Sequence, residues 1–192
     1  ALPSLVATLI ERNEGLNHVD LLARCRRIYP LLKNELFLRY ELEELDTQVP
    51  AILAAFQDLA LIEEHSDGYW VRPEEQMRLL LLGQSIQETL QRYAITLSQI
   101  QQQLAITRQQ LESDSQMMAV RLATLHGIHA PEFSDKSLFK TLLLSLQQEQ
   151  YLQCQGEDQP VTQDGEALAE LAAILLPLLP DPVRRTLLLP AR

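Results

Sequence analysis

Abundant leucine and alanine, apolar residues recurring three and four apart, and two short stretches with strand-and-turn chemistry predict a mainly α-helical fold with two small β-hairpins. Apolar residues make up 46% of the 192-residue chain and aromatics only 5%, so the core must be built from Leu, Ile, Val and Ala. Leu2, Leu5, Val6, Leu9 and Ile10 share one face, which predicts a first helix over residues 2–12 with Gly15 ending it. Val19, Leu22, Cys25 and Tyr29 carry a second helix, which Pro30 is expected to break or end. Asp46 and Thr47 are expected to cap a third, with the stripe Val49, Ile52, Leu53 and Phe56 and with Pro50 in its first turn, where proline is tolerated.

The stretch "LALIEEHSDGYWVRP" implies two strands, around 61–64 and 69–72, with Asp67-Gly68 as the turn. Three helices followed by a hairpin is a winged-helix-like order. Pro73-Glu74 then opens a long helical stretch to about residue 104, with Met77, Leu80, Leu81, Leu90, Ala94 and Leu97 on its apolar face. The Gln-rich runs that follow are good helix formers, and a further helix is expected over about 115–126, stopped by Gly127. The order then repeats. A gapless shift of ninety residues places Ile52, Leu53 and Phe56 on Leu142, Leu143 and Leu146, Val71 on Val161 and Leu81 on Leu171, with "QGEDQP" as a second wing. The expected organisation is two tandem winged-helix-like modules, 1–75 and 116–192, joined by long helices over 76–115, with an uncertain tail.

The net charge of −10 is spread along the chain: residues 1–100 carry nine Lys/Arg against fifteen Asp/Glu, and residues 101–192 seven against eleven. Nucleic-acid binding draws most of its affinity from basic patches, so no nucleic-acid partner is expected. Cys25 and Cys154 stand far apart, with no zinc spacing and no CxxC pair. No apolar run reaches the length of a membrane span; the longest, "LAAILLPLLP", is broken by Pro177. The opening "ALPSL", without Met, reads like a piece of a longer polypeptide.

The densest group of reactive side chains is "LHGIHAPEFSDK", residues 125–136, with His126, His129, Glu132 and Asp135 close together. A metal or acid/base cluster competes here with a plain helix-to-helix junction. Gly127 suits a helix C-cap, Pro131 forces an extended approach at Ala130, and Ser134 and Asp135 are good caps for a helix with the stripe Leu138, Phe139, Leu142 and Leu146. His18 and His65 read as surface residues. Trp70 and Tyr69 on the hairpin are suited to stacking on a ligand or to covering the core, the second being the plainer use. There is no Gly-rich phosphate loop and no GxSxG, so the residues alone describe an acidic, helical, interaction or scaffolding segment that needs no cofactor.

Three blocks carry a resemblance. "YPLLKNELFLRYELEEL" (Tyr29–Leu45), "QETLQRYAIT" (Gln87–Thr96) and "RLATLHGIHAPEFSDKSLF" (Arg121–Phe139), with "LPSL" upstream, resemble the C-terminal region of the bacterial membrane-bound glycerol-3-phosphate acyltransferases over residues 2–152. The resemblance implies a parent enzyme that moves a fatty acyl group from acyl-CoA or acyl carrier protein to the 1-hydroxyl of sn-glycerol 3-phosphate. It implies work at the cytoplasmic face of the inner membrane and a His-x4-Asp motif as the acid/base pair. No such motif is present here: five residues after His18, His65, His126 and His129 come Ala23, Trp70, Pro131 and Ser134. The resemblance therefore implies a non-catalytic segment. Its partner would be the upstream acyltransferase domain of the same protein. The parent, rather than this segment, would bind acyl donor and glycerol 3-phosphate and reach the membrane surface. Arg92, Tyr93, His126, Glu132, Asp135 and Lys136 lie in the matching blocks and are the candidates for family-signature or domain-contact roles. The chain departs from the family pattern at His129, where Asn is usual. The competing expectation is a stand-alone tandem winged-helix module that binds a protein partner.

Overall fold

A computed structural model describes residues 1–189; the last three residues of the expected tail lie outside the described residues. The fold is mainly helical with two two-stranded antiparallel sheets, as expected. The chain divides into two compact units, Ala1–Gln87 and Glu88–Arg192.

In the first unit, α1 (Leu2–Arg12) has the predicted bounds but not the predicted single stripe. Ser4, Ala7 and Thr8 are buried along with Leu5, Val6, Leu9 and Ile10. The reason is close approach: Ser4 and Ser85 hydroxyls lie 2.9 Å apart, and a methyl group placed on Gly83 would stand 2.4 Å from Thr8 Oγ1. α2 (His18–Leu36) begins at Asn17, whose side chain accepts from the Asp20 N–H, and runs straight through Pro30. A mid-helix proline costs about 3 kcal/mol. Burial of Ile28, Tyr29, Leu31 and Leu32 around it, worth roughly 1.5–3 kcal/mol for each such side chain, outweighs that cost. The helix ends on Phe37 in the left-handed region.

α3 (Leu45–Asp58) also differs at its start. It follows a 3-10 turn, Leu42–Glu44, closed by a capping box between Glu41 and Glu44, so the acidic run serves as the cap and Pro50 falls inside the helix. β1 (Ile62–His65) pairs with β2 (Gly68–Val71) in the register Ile62↔Val71 to His65↔Gly68. The turn residues are therefore Ser66 and Asp67, and Gly68 is the first residue of β2. Tyr69 N–H donates to Leu16 C=O at 2.9 Å, which ties the hairpin to the α1–α2 connection. α4 (Gln76–Gln102) follows and gives its first turns to this unit.

In the second unit α4 stops at Gln102, and α5 (Arg108–His126) starts seven residues earlier than the expected 115. Its start is fixed by a capping box between Thr107 and Gln110. α6 (Lys136–Gln148), β3 (Leu152–Gln153), β4 (Thr162–Gln163), α7 (Gly165–Leu175) and α8 (Asp181–Leu188) complete it. Burial pushes the Cys25 thiol up to about 12, out of the range where a thiolate forms, and raises that of half-buried Cys154 as well.

The repeat is present in the hydrogen bonds and not only in the sequence. α1 and α2 end at Arg12 and Leu36, and ninety residues later α4 and α5 end at Gln102 and His126. Leu61 N–H donates to Phe56 C=O at 2.9 Å; ninety residues on, Tyr151 N–H donates to Leu146 C=O at 2.9 Å. Ala60 and Gln150, the residues before these donors, both have positive φ, 56° and 62°. Beyond the hairpin the gapless shift fails. Ile62 pairs with Val71, whereas Leu152 pairs with Gln163, so the second wing is two residues longer. Arg72 N–H donates to Leu61 C=O, and its counterpart is Asp164 N–H to Tyr151 C=O, both at 3.1 Å. The counterpart of Val71 is thus Gln163 rather than Val161, and that of Leu171 is Leu79 rather than Leu81. Leu79 and Leu171 are both buried, while Leu81 is exposed.

Candidate functional site

Residues 125–136 form the corner between α5 and α6. Gly127 takes the left-handed conformation (φ 65°) that a Cβ disfavours, and the N–H groups of Gly127 and Ile128 both return to Ala123 C=O. The chain then extends to Ala130, and Pro131 opens a 3-10 turn, Pro131–Ser134. Phe133, fully buried, anchors that turn, and Gln116 Nε2 of α5 donates to Ser134 C=O at 3.1 Å. Asp135 caps α6: its Oδ1 accepts from the N–H and the hydroxyl of Ser137, both at 2.8 Å.

The candidate residues do not converge on one point. His126 Nε2 lies 3.0 Å from Thr186 Oγ1 of α8. The same hydroxyl lies 3.0 Å from Pro182 C=O, to which it can donate, so Thr186 stands between the His126 ring and the α8 backbone. His129 and the Glu132 side chain are exposed, and Lys136 is half-buried. Arg92 and Tyr93 are buried on α4, where Arg92 Nη2 donates to Thr89 Oγ1 at 3.2 Å. One link between the blocks is electrostatic. The two bonds from Ser137 hold the Asp135 carboxyl below its ordinary value, and the Arg92 charge lowers it further.

A lowered folded pKa means that this carboxylate stabilises the fold above the unfolded value of 3.8, and that the contribution is lost as pH falls through the folded value. Asp135→Ala should lower the denaturation midpoint near pH 6, and the gap from the parent should narrow progressively below pH 3.8 in an acid titration of the melt. A gap constant down to pH 2 would contradict it.

Among the described residues no group of three or more His, Cys, Asp or Glu is placed to hold a metal ion. The remaining histidines sit in ordinary surroundings. His18 opens α2, and His65 lies 3.2 Å from Glu63 on an exposed strand. Tyr69 is buried, and Trp70 Nε1 donates to Asp67 Oδ1 at 2.8 Å. Sequence reading missed Thr186 and Gln116. Thr186 is sixty residues from His126, and no local pattern links the two. Gln116 lies within the expected helix, but its bond to Ser134 C=O spans eighteen residues and leaves no local pattern.

Residues 1–155 match the family described as "Glycerol-3-phosphate acyltransferase C-terminal region". The chain belongs to that family. All six candidate residues fall inside the matched stretch of this glycerol-3-phosphate acyltransferase C-terminal region. The "Glycerol-3-phosphate acyltransferase" of Aeromonas hydrophila subsp. hydrophila is 53% identical over 187 residues, which covers 97% of this chain and 23% of the relative. The chain thus spans about a quarter of the length of that relative. No solved structure matches it.

Proposed function

We propose that the chain is the non-catalytic C-terminal region of an enzyme that transfers a fatty acyl group from acyl-CoA or acyl carrier protein to sn-glycerol 3-phosphate, the first step of phospholipid biosynthesis. The observation that carries this reading is the 53% identity to a glycerol-3-phosphate acyltransferase across nearly the whole chain. Structural use of the signature residues supports the non-catalytic part. Arg92 and Tyr93 sit in a core, Asp135 caps a helix, and His126 is hydrogen-bonded to a threonine.

In this reading the segment is a pair of winged-helix-like modules that share α4, and its partner is the acyltransferase domain upstream in the same polypeptide, which it stabilises. The parent binds the acyl donor and glycerol 3-phosphate and works at the cytoplasmic face of the bacterial inner membrane. No helix among the described residues is long and apolar enough to cross a membrane. With net charge −10, attraction to anionic lipid is not a general mechanism for this segment.

The test compares 1-acylglycerol-3-phosphate formation by residues 1–192 alone with that by the full polypeptide, both supplied with acyl-CoA and glycerol 3-phosphate. Product from the full polypeptide only is expected. Turnover by residues 1–192 alone, or none by the full polypeptide with its fold intact, would overturn the reading.

A further inference from the structure

The internal repeat supplies a control that single surfaces lack. On the first unit Leu59, Met77, Leu81 and Leu82 are 66%, 66%, 55% and 40% exposed. They gather where α3 ends and α4 begins, beside a shallow groove lined by Leu59, Leu61, Arg78, Leu81 and Leu82. Single exposed leucines need no explanation, but a contiguous apolar patch does. In the second unit the same places in the repeat are held by Glu149, Ala169, Ala173 and Ile174, taking ninety residues before the hairpin and ninety-two after it. Glu149, Ala169 and Ala173 are also exposed, so the positions face solvent in both copies. The buried partners keep their character, Leu79 against Leu171. At three of the four places the repeat therefore folds with polar or minimal side chains, while half-buried Ile174 keeps an apolar one opposite Leu82, so the large apolar side chains of Leu59, Met77 and Leu81 are not required by the core of the first unit.

We propose that this Leu59–Met77–Leu81–Leu82 surface is the seat on which the remainder of the same polypeptide docks. The proposal rests on the family reading above and names its contact. The occupant follows from two observations. The Aeromonas relative has more than three quarters of its length outside the part matched here, so a large covalently attached partner is at hand at high effective concentration. The hairpin and 3-10 turn that connect α3 to α4 carry Glu63, Glu64, Glu74 and Glu75 against Arg72, with Arg78 on α4, an acidic balance beside the patch that repels an anionic bilayer.

The experiment uses the full-length polypeptide in its native membrane fraction, with the photo-crosslinking residue benzoylphenylalanine in place of Leu81, at Met77 as a second site, and at Ala173 as the repeat-matched control. Photolysis at Leu81 and Met77 should give intramolecular adducts whose second peptide lies outside residues 1–192, and Ala173 should give none. Adducts to lipid would make the patch a membrane contact. A band of doubled mass would make it a contact between copies. Equal labelling from Ala173, or no adduct from Leu81 and Met77 in protein that still transfers acyl groups, would show that the patch is not a seat. Each of these results overturns the proposal while acyl transfer itself continues. Failure of the family reading would appear instead as absent turnover in the unsubstituted polypeptide.

Discussion

Gly68→Ala should lower the stability of the first unit by about 4 kcal/mol, because a strained backbone and an overfilled contact each cost about 1–3 kcal/mol and here coincide. Gly68 has φ +146°, a conformation L side chains rarely adopt. An added Cβ would stand 2.4 Å from the Leu16 carbonyl carbon, 2.5 Å from Gly15 O and 2.6 Å from Asn17 N. All three are backbone atoms, so no side chain can rotate away. The only relief is to move the hairpin off the α1–α2 connection, which breaks the bond from Tyr69 N–H to Leu16 C=O. At roughly 4–8 °C per kcal/mol for a unit of this size, a melt followed by circular dichroism should fall by about 20 °C. Gly165 is the control: nothing lies within 4 Å of its added Cβ. Gly165→Ala at the start of α7 should be neutral or stabilising by up to about 1 kcal/mol. Similar losses from both substitutions would contradict this account of the hairpin.

Phe133→Ala should cost about 3–5 kcal/mol, the usual range for a buried aromatic side chain. Phe133 is fully buried and belongs to the 3-10 turn that α5 holds through Gln116. Its loss removes the anchor of the corner between α5 and α6, and the Asp135 cap shifts with it. Its exposed neighbour supplies the contrast: Glu132→Ala should stay within about 0.5 kcal/mol of the parent. Chemical denaturation of both variants measures the difference. A stability loss at Glu132 equal to that at Phe133 would point to a structural use of the carboxylate that the geometry lacks.

Much of the fold was legible because its signals are local. α1 was predicted residue for residue from its apolar spacing, and Gly127 and Asp135 were read correctly as caps because capping is chemistry between near neighbours. Failures came where packing overrode a local rule. Pro30 lies inside a helix because the residues around it are buried, which no window around a proline reveals. The repeat was visible in the apolar pattern, but its two-residue extension in the second wing was not. Strands of two residues leave too little pattern to set a register. The junction was legible as a junction; its ties to Thr186 and Gln116 were not, since contacts across the chain leave no periodic trace.

In the proposed reading the cluster at residues 125–136 serves backbone shape and core anchoring, and the claim at stake is that its histidines do no chemistry. The deciding measurement is kcat for the proposed glycerol 3-phosphate acylation by the full-length polypeptide carrying His126→Ala and His129→Ala together, with the melting temperature taken alongside. Loss of a general base costs about 10²–10⁴-fold in rate, so the two outcomes are well separated. The account predicts kcat within about threefold of the parent, a change in barrier under roughly 1 kcal/mol, with a small fall in melting temperature from the lost bond to Thr186. A fall in kcat of a hundredfold or more at unchanged melting temperature would contradict it.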